Sequence, residues 1–246
     1  MRALVFGLVL CVAAWPVRAQ DSDVQNQYEL EFAPYHRITD KLIGNARLEL
    51  DYNPEAGYTA YKVDWPGLTY VVSERLQLWA GLLSTYTDTQ EGANTLQLRP
   101  WAGVKLFVPN RAKLHLYNYT RFEYPVTENL DTYQWTDNPR LRSRFGVEVP
   151  LCSRARAWKP NTWYALTSIE PFYEFDDGDI DPVLVRGGIG YIANDRLQME
   201  FTYTAEFSRQ TTGSSLEYNG NVFRLKIKLA IEKGILERLL NPENGD

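Results

Sequence analysis

The stretch Thr95–Tyr124 alternates between apolar and polar residues along two arms that flank a polar turn at 109–111. One parity of the first arm is apolar and consists of Leu96, Leu98, Ala102, Val104, Leu106 and Val108. The other parity carries charged residues, Arg99 and Lys105, together with aromatic ones. Successive side chains of a β-strand leave opposite faces, so alternation with period two indicates strands. The pattern therefore predicts a β-hairpin.

The arms of this hairpin are long for a soluble protein. Soluble strands usually run to about 5–6 residues, whereas a tilted strand needs about 9–11 residues to cross a bilayer. One face of each arm is continuously apolar, and the other carries charges that a dry core accepts only when they are paired. We therefore predict an all-β fold, a transmembrane antiparallel up-and-down β-barrel with a polar lumen. The alternative is a soluble lipocalin-like barrel of inverted parity that binds an apolar ligand.

The same alternation marks strands along the rest of the chain. Eleven stretches carry it: 28–37, 42–52, 58–73, 76–86, 95–108, 112–124, 140–151, 163–175, 183–192, 197–207 and 221–230. Bacterial single-chain barrels have even numbers of strands. We therefore predict twelve strands, with ten as the alternative. If the count of eleven stretches is in error, we expect the error at the interruption at Pro66-Gly67.

The chain divides into three segments. Residues 1–19 resemble a signal peptide, with a positive start at Arg2, an apolar run and a small-residue cleavage site. Residues 20–230 form the predicted barrel. Residues 231–246 form a predicted periplasmic tail with a short amphipathic helix, whose apolar positions are Ile231, Ile235, Leu239 and Leu240. A frayed tail is the alternative.

Composition and charge bear on the partners, the disulfides and the surroundings of the chain. Removing residues 1–19 takes two arginines from the 26 basic residues and leaves 24 against 31 acidic ones, a net charge of −7. This acidic balance argues against a nucleic-acid partner. Cys152 is then the one remaining thiol, so no intrachain disulfide is expected. Tyrosine and tryptophan are abundant, as aromatic girdles at the two membrane interfaces require.

Short turns alternate with longer loops between the predicted strands. The short turns lie at 39–41, 73–75, 109–111 and 193–196. The longer loops lie at 88–94, 125–138, 176–182 and 208–217. In outer-membrane barrels short turns face the periplasm and long loops face the exterior, which predicts the orientation of this chain.

Five motifs stand out along the strands: Arg99-Pro100-Trp101, Arg121-Phe122-Glu123, Arg140-Leu141-Arg142-Ser143-Arg144-Phe145 with Pro150-Leu151 after it, Glu170-Pro171-Phe172-Tyr173-Glu174-Phe175, and Arg186-Gly187-Gly188-Ile189-Gly190-Tyr191. With these motifs the chain resembles, from Pro66 to the last strand, an uncharacterised family of Gram-negative outer-membrane β-barrels. The resemblance implies the barrel fold and the outer membrane. It implies no activity and no functional residue. We expect membrane lipid, lipopolysaccharide and the outer-membrane insertion machinery as partners.

Charged residues on the inward parity form the candidate site. They are Arg47, Glu49, Arg99, Arg121, Glu123, Arg140, Arg142, Arg144, Glu170, Glu174, Arg186 and Glu206. Strand direction puts all of them in the outer half of the lumen. They predict either an Arg–Glu network that fills a narrow barrel or a narrow channel for a small anionic solute. The network is favoured, because barrels of ten to twelve strands fill with side chains.

An outer-membrane lipid-modifying enzyme is the alternative function. Such a site needs a nucleophile and a base, but the chain offers only His36 and His115, with no serine beside His115 on the same face. We therefore predict no catalytic residue and no enzyme. No Cys/His cluster suggests a metal or another cofactor, and Asp176, Asp177, Asp179 and Asp181 read better as a solvated loop than as a Ca²⁺ site.

Overall fold

A computed structural model describes residues 24–176, 178–209 and 216–240. The signal peptide predicted at 1–19 lies outside the described residues, as do Asp177, residues 210–215 and the end of the predicted tail, 241–246. Among the described residues, no helix is long and apolar enough to cross a membrane.

The described chain is almost entirely β-structure. Its strands are β1 (Gln25–Arg37), β2 (Leu42–Asn53), β3 (Tyr58–Ser73), β4 (Leu76–Thr89), β5 (Thr95–Val108), β6 (His115–Glu123), β7 (Val126–Asn129), β8 (Gln134–Asp137), β9 (Arg140–Pro150), β10 (Thr162–Glu174), β11 (Asp179–Ile192), β12 (Leu197–Arg209) and β13 (Leu216–Ala230). A 3-10 turn lies at Arg154–Arg156, and one α-helix, α1, spans Ile235–Leu240.

Eleven of these strands close into a barrel. Each barrel strand pairs antiparallel with the next one along the chain, and β13 closes the ring on β1. Strands β7 and β8 form a hairpin outside the ring, in which β7 extends the pairing of β5 beyond β6. The all-β barrel is confirmed. The prediction of twelve strands was wrong, and so was the alternative of ten.

An odd number of strands changes how the barrel closes. After eleven alternating strands the last runs in the same direction as the first, so β1 and β13 pair in parallel, with Glu29 opposite Arg224 and Glu31 opposite Lys226. The start of β1 and the end of β13 therefore lie at opposite mouths. We call the mouth with the 38–41 turn the turn end, and the mouth with the β7–β8 hairpin the loop end.

The interruption at Pro66-Gly67 does not split a strand. Strand β3 continues through it with a register shift against β2 and against β4. Before this bulge the buried positions are even-numbered, as at Ala60 and Asp64, and after it they are odd-numbered, as at Thr69. A bulge accommodates a proline, which has no backbone N–H for the ladder. The eleven stretches of the sequence were thus the eleven barrel strands.

The barrel is apolar outside and polar inside. Leu30 and Leu50 are 48% and 40% exposed on the outer wall, whereas Glu31 and Glu123 are 1% and 0% exposed in the lumen. The predicted parity is confirmed, and it is opposite to that of the lipocalin-like alternative. Soluble domains bury apolar side chains and expose charged ones, and this barrel has the opposite distribution.

An apolar plug closes the turn end. After β13 the chain folds back, and Ile235, Leu236 and Leu239 of α1 are buried in the barrel mouth against Tyr35 and Ile43. The Glu232 carboxylate fixes this fold-back by accepting from the backbone N–H of Arg37 (3.0 Å) and bonding to His36 Nδ1 (2.7 Å). These two groups lower the pKa of Glu232, because they stabilise its carboxylate. The helix predicted in the tail thus lies in the mouth of the barrel.

The connection between β9 and β10 closes the same end beside α1. Trp158 turns inward, donates from Nε1 to the Lys113 carbonyl (2.8 Å) and packs with Tyr164 and Ile192. Its ring stacks on His115 with a centroid distance of 3.5 Å. The alternation pattern of the sequence assigns this tryptophan no role, because it lies between two strands.

Close packing inside the wall provides a test of this fold. Gly190 lies opposite Tyr164 in the β10–β11 pair, and a Cβ at Gly190 would overlap the buried Tyr164 ring. Gly190→Ala should therefore lower the free energy of unfolding by about 1–3 kcal/mol, the usual cost of overpacking. Gly187→Ala is the matched control on the same strand, because a Cβ there meets nothing within 4 Å. Equal stability of the two variants in detergent would contradict this packing.

Candidate functional site

One carboxylate in the lumen is surrounded by four arginines. Glu123 is 0% exposed. Its oxygens lie 3.4 Å from Arg99 Nη1, 2.9 Å from Arg140 Nε and 3.3 Å from Arg142 Nη1, and they also pair with Arg121. The positions come from neighbouring strands in register, with Glu123 opposite Arg140 and Arg121 opposite Arg142. The contact forms because these side chains all point into the lumen and because β6 and β9 pair in this register.

A second carboxylate extends this group. Arg142 donates to Glu170 Oε1 through Nε (2.6 Å) and approaches it through Nη2 (2.5 Å). Arg144 holds Glu170 Oε2 in the same way, with both distances at 2.7 Å. We call the set the arginine cluster; it consists of Arg99, Arg121, Glu123, Arg140, Arg142, Arg144 and Glu170. It lies on β5, β6, β9 and β10 and holds more basic than acidic groups.

Aromatic rings pack against two guanidinium groups of the arginine cluster. The guanidinium of Arg142 lies 4.5 Å from the centre of the Phe172 ring, and that of Arg121 lies 5.0 Å from the Trp101 ring. A cation over an aromatic face is stabilised by the ring quadrupole. Trp101 also donates from Nε1 to Asp64 Oδ1 (3.1 Å) and so connects the cluster to β3 across the intervening β4.

The opposite wall carries the second charged group. We call it the seam cluster, because it spans the β13–β1 closure; it consists of Glu29, Glu31, Arg47, Glu49, Asp51, Lys62, Asp64, Arg224 and Lys226. Lys226 Nζ lies 2.7 Å from Glu31, Lys62 Nζ lies 2.8 Å from Glu49, and Arg224 pairs with Glu29. Charge pairing thus accompanies the parallel register that closes the barrel.

The structure distributes the twelve predicted site residues unevenly. Seven of them form the arginine cluster, while Arg47 and Glu49 belong to the seam cluster instead. The ion pairs among the described residues do not include Glu174, Glu206 or Arg186. Glu174 accepts a hydrogen bond from Asn138 (3.1 Å), and Arg186 donates from Nε to the Thr204 hydroxyl (3.2 Å).

Sequence reasoning left Lys62 and Asp64 out of the site. Both lie just before the β3 bulge, which shifts the inward parity by one residue. Read separately on the two sides of Pro66-Gly67, the alternation of Ala60, Lys62 and Asp64 was the signal that identifies them.

A cavity of about 280 Å³ lies in the lumen. It extends from the arginine cluster, at Arg99 and Arg142, down to the plug at Ala33 and Trp79. Eleven basic and five acidic side chains line it. Nine of the eleven basic side chains are ion-paired, several of them with carboxylates outside the lining such as Glu123 and Glu170. Arg186 and Lys105 form no ion pair with a described residue, and such positive charge favours anions over cations.

Two other polar groups lie in the barrel, one at His115 and one at Glu29. His115 Nδ1 lies 3.1 Å from Glu148, and no hydrogen bond among the described residues joins a serine hydroxyl to His115. The carboxylates of Glu29, Glu49 and Asp51 converge within 4.8 Å of one another. Lys62 Nζ, 2.8 Å from Glu49, already supplies a cation there.

The fold and the lumen define a class of protein: a closed eleven-stranded β-barrel with an apolar outer wall, a charged interior and a plugged turn end. The chain matches, over residues 26–217, the family described as Protein of unknown function (DUF2490). The match covers most of the chain, and the protein belongs to this family. The comparison with curated proteins gave no match, and neither did the comparison with solved structures.

The centre of the arginine cluster generates a stability prediction. Glu123→Gln removes the negative charge that four arginines share, and breaking a buried ion pair in this way costs about 3–5 kcal/mol. We expect a correspondingly lower midpoint of denaturant unfolding in detergent. Glu174→Gln is the matched control, because Glu174 accepts from Asn138 and forms no ion pair with an arginine among the described residues. A cost below about 1 kcal/mol for Glu123→Gln, the level of an exposed pair, would show that the cluster is not a closed network.

Proposed function

We propose that this protein is an outer-membrane β-barrel of a Gram-negative cell whose lumen is a closed, ion-paired chamber. The observation that carries the proposal is the inverted distribution of side chains, with Leu30 and Leu50 exposed outside and Glu31 and Glu123 buried inside. An apolar outer wall of this extent is stable against lipid and not against water. Strands of 9 to 16 residues are long enough to cross a bilayer when tilted.

The two plugs favour a closed chamber over an open pore. An open aqueous channel needs about 16 strands, whereas small barrels fill with side chains. Here the turn end is filled by α1 and by Trp158. The arginine cluster lies toward the loop end, where Glu123 ends β6 and Arg140 begins β9. In this proposal the turn end faces the periplasm, because short turns do so in outer-membrane barrels. The protein is not proposed to be an enzyme.

A narrow anion channel is the second candidate. The excess of basic side chains around the cavity favours it, and it requires that α1 leave the mouth. Under either candidate the partners are membrane lipid and lipopolysaccharide at the outer wall and the outer-membrane insertion machinery during assembly.

Fractionation tests the location. We expect the chain without residues 1–19 in the outer membrane, soluble only with detergent, and with an electrophoretic mobility that changes on heating, because a closed barrel resists unfolding by detergent. Recovery of a folded monomer from the periplasm without detergent would contradict the membrane proposal.

Planar-bilayer conductance separates the closed chamber from the channel. The wild-type protein should conduct little. The double variant Ile235→Asp/Leu239→Asp should conduct more and should prefer anions, because charges in the apolar contacts of α1 expel it from the mouth. Lys233→Asp is the control in the same tail, since Lys233 is exposed. A large non-selective conductance of the wild type would contradict both candidates.

A further inference from the structure

We propose that the lumen cavity binds a small oxyanion of the phosphate or sulfate type, held by Arg186 and Lys105. This deepens the proposed function and rests on it for the closed turn end. Both side chains line the cavity. Neither takes part in the ion-paired clusters described above.

Arg186 is a buried cation without a carboxylate partner among the described residues. It is 9% exposed, and its recorded side-chain hydrogen bond runs from Nε to the neutral Thr204 hydroxyl. Arg142 and Arg144, by contrast, both hold Glu170. An ionised group in a confined interior is costly unless it is paired and hydrogen-bonded. The guanidinium of Arg186 therefore has N–H donors that no described carboxylate accepts.

Lys105, on β5, is the second cation of the proposed site that lines the cavity. Its Nζ lies over the Phe107 ring at 4.7 Å and over the Tyr117 ring at 4.5 Å. It forms no ion pair with a described residue. The rings stabilise the cation in part, but they supply no negative charge. Both of these lumen cations thus face the same cavity, and neither is ion-paired with a described residue.

Neutral donors complete the site. The hydroxyl of Thr202 is buried and lines the cavity without a hydrogen-bond partner. Ser168, opposite Arg186 in the β10–β11 pair, also lines it. An oxyanion accepts several hydrogen bonds at once, and arginine binds phosphate, sulfate and carboxylate through two parallel N–H groups. The unpartnered donors match the acceptors of such an ion.

Size and access define the ligand further. A cavity of about 280 Å³ is near the lower limit for ligand pockets, about 300 Å³, so the occupant is small. The wall is continuous, because every barrel strand pairs on both sides, and lipid headgroups cannot enter laterally. Since the turn end is plugged, the ion enters from solution at the loop end.

Thermal unfolding with inorganic phosphate tests this site on the full barrel in non-ionic detergent. Phosphate should raise the unfolding temperature of the wild type more than chloride at equal ionic strength, because a ligand of the folded state stabilises it. Arg186→Gln should abolish this difference and weaken phosphate binding at least about tenfold in calorimetry. It should not lower the unfolding temperature in the absence of phosphate, because it removes an unpaired charge. A merely structural arginine would lower it.

The control is Arg209→Gln, which removes an arginine that pairs with Asp179 (2.5 Å) and does not line the cavity. It should keep the phosphate response. If Arg186→Gln does not fold, the same measurement on Lys105→Gln decides. Equal effects of phosphate and chloride on the wild type would overturn the proposal, as would an undiminished response of the variant. A response to phosphatidic acid in mixed micelles, with none to inorganic phosphate, would overturn it as well.

This titration requires a folded barrel and no membrane. Failure of phosphate binding therefore leaves the membrane proposal intact, and failure of the fractionation test leaves the titration interpretable.

Discussion

Ionised side chains enclosed in a barrel are costly unless their neighbours neutralise them. Each pairing fixes which strands are adjacent and in which register. Glu123 can meet Arg99, Arg121, Arg140 and Arg142 only when β5, β6 and β9 lie side by side in the observed alignment. The charges of the lumen are therefore part of what holds the barrel in one register, and the period-two alternation puts the apolar side chains of the same strands on the outer wall.

Closure with eleven strands depends on the same constraint. A parallel seam is slightly less stable per residue than an antiparallel one, and here the seam carries acidic residues on β1 and basic residues on β13. Glu31, 2.7 Å from Lys226, is fully enclosed beside it. The odd strand number also brings the end of β13 to the turn end, where α1 can fold back into the mouth. The parallel pairing of β1 with β13 and the position of α1 in the mouth thus both follow from the odd number of strands.

The sequence predicted which residues face inward and failed where the answer depended on distant contacts. Period-two alternation identified the lumen charges and all eleven barrel strands, but the even-number rule replaced that count with twelve. The bulge at Pro66-Gly67 hid Lys62 and Asp64, because it shifts parity within one strand. Nothing local distinguishes Glu170, which holds two arginines, from Glu174, which holds none. The register of β10 against β9 determines which glutamate meets the arginines, and the sequence of β10 alone does not specify that register.

The central claim is that the apolar wall faces lipid while the charged lumen does not. Electron paramagnetic resonance of a spin label at Leu50, in protein reconstituted into vesicles, tests it most directly. Leu50 is exposed on the outer wall of β2, and Glu55, in the following loop, is the aqueous reference. The account predicts that the label at Leu50 is relaxed by oxygen and shielded from a water-soluble nickel chelate, with the reverse at Glu55. Equal access of the chelate to both positions would contradict the claim.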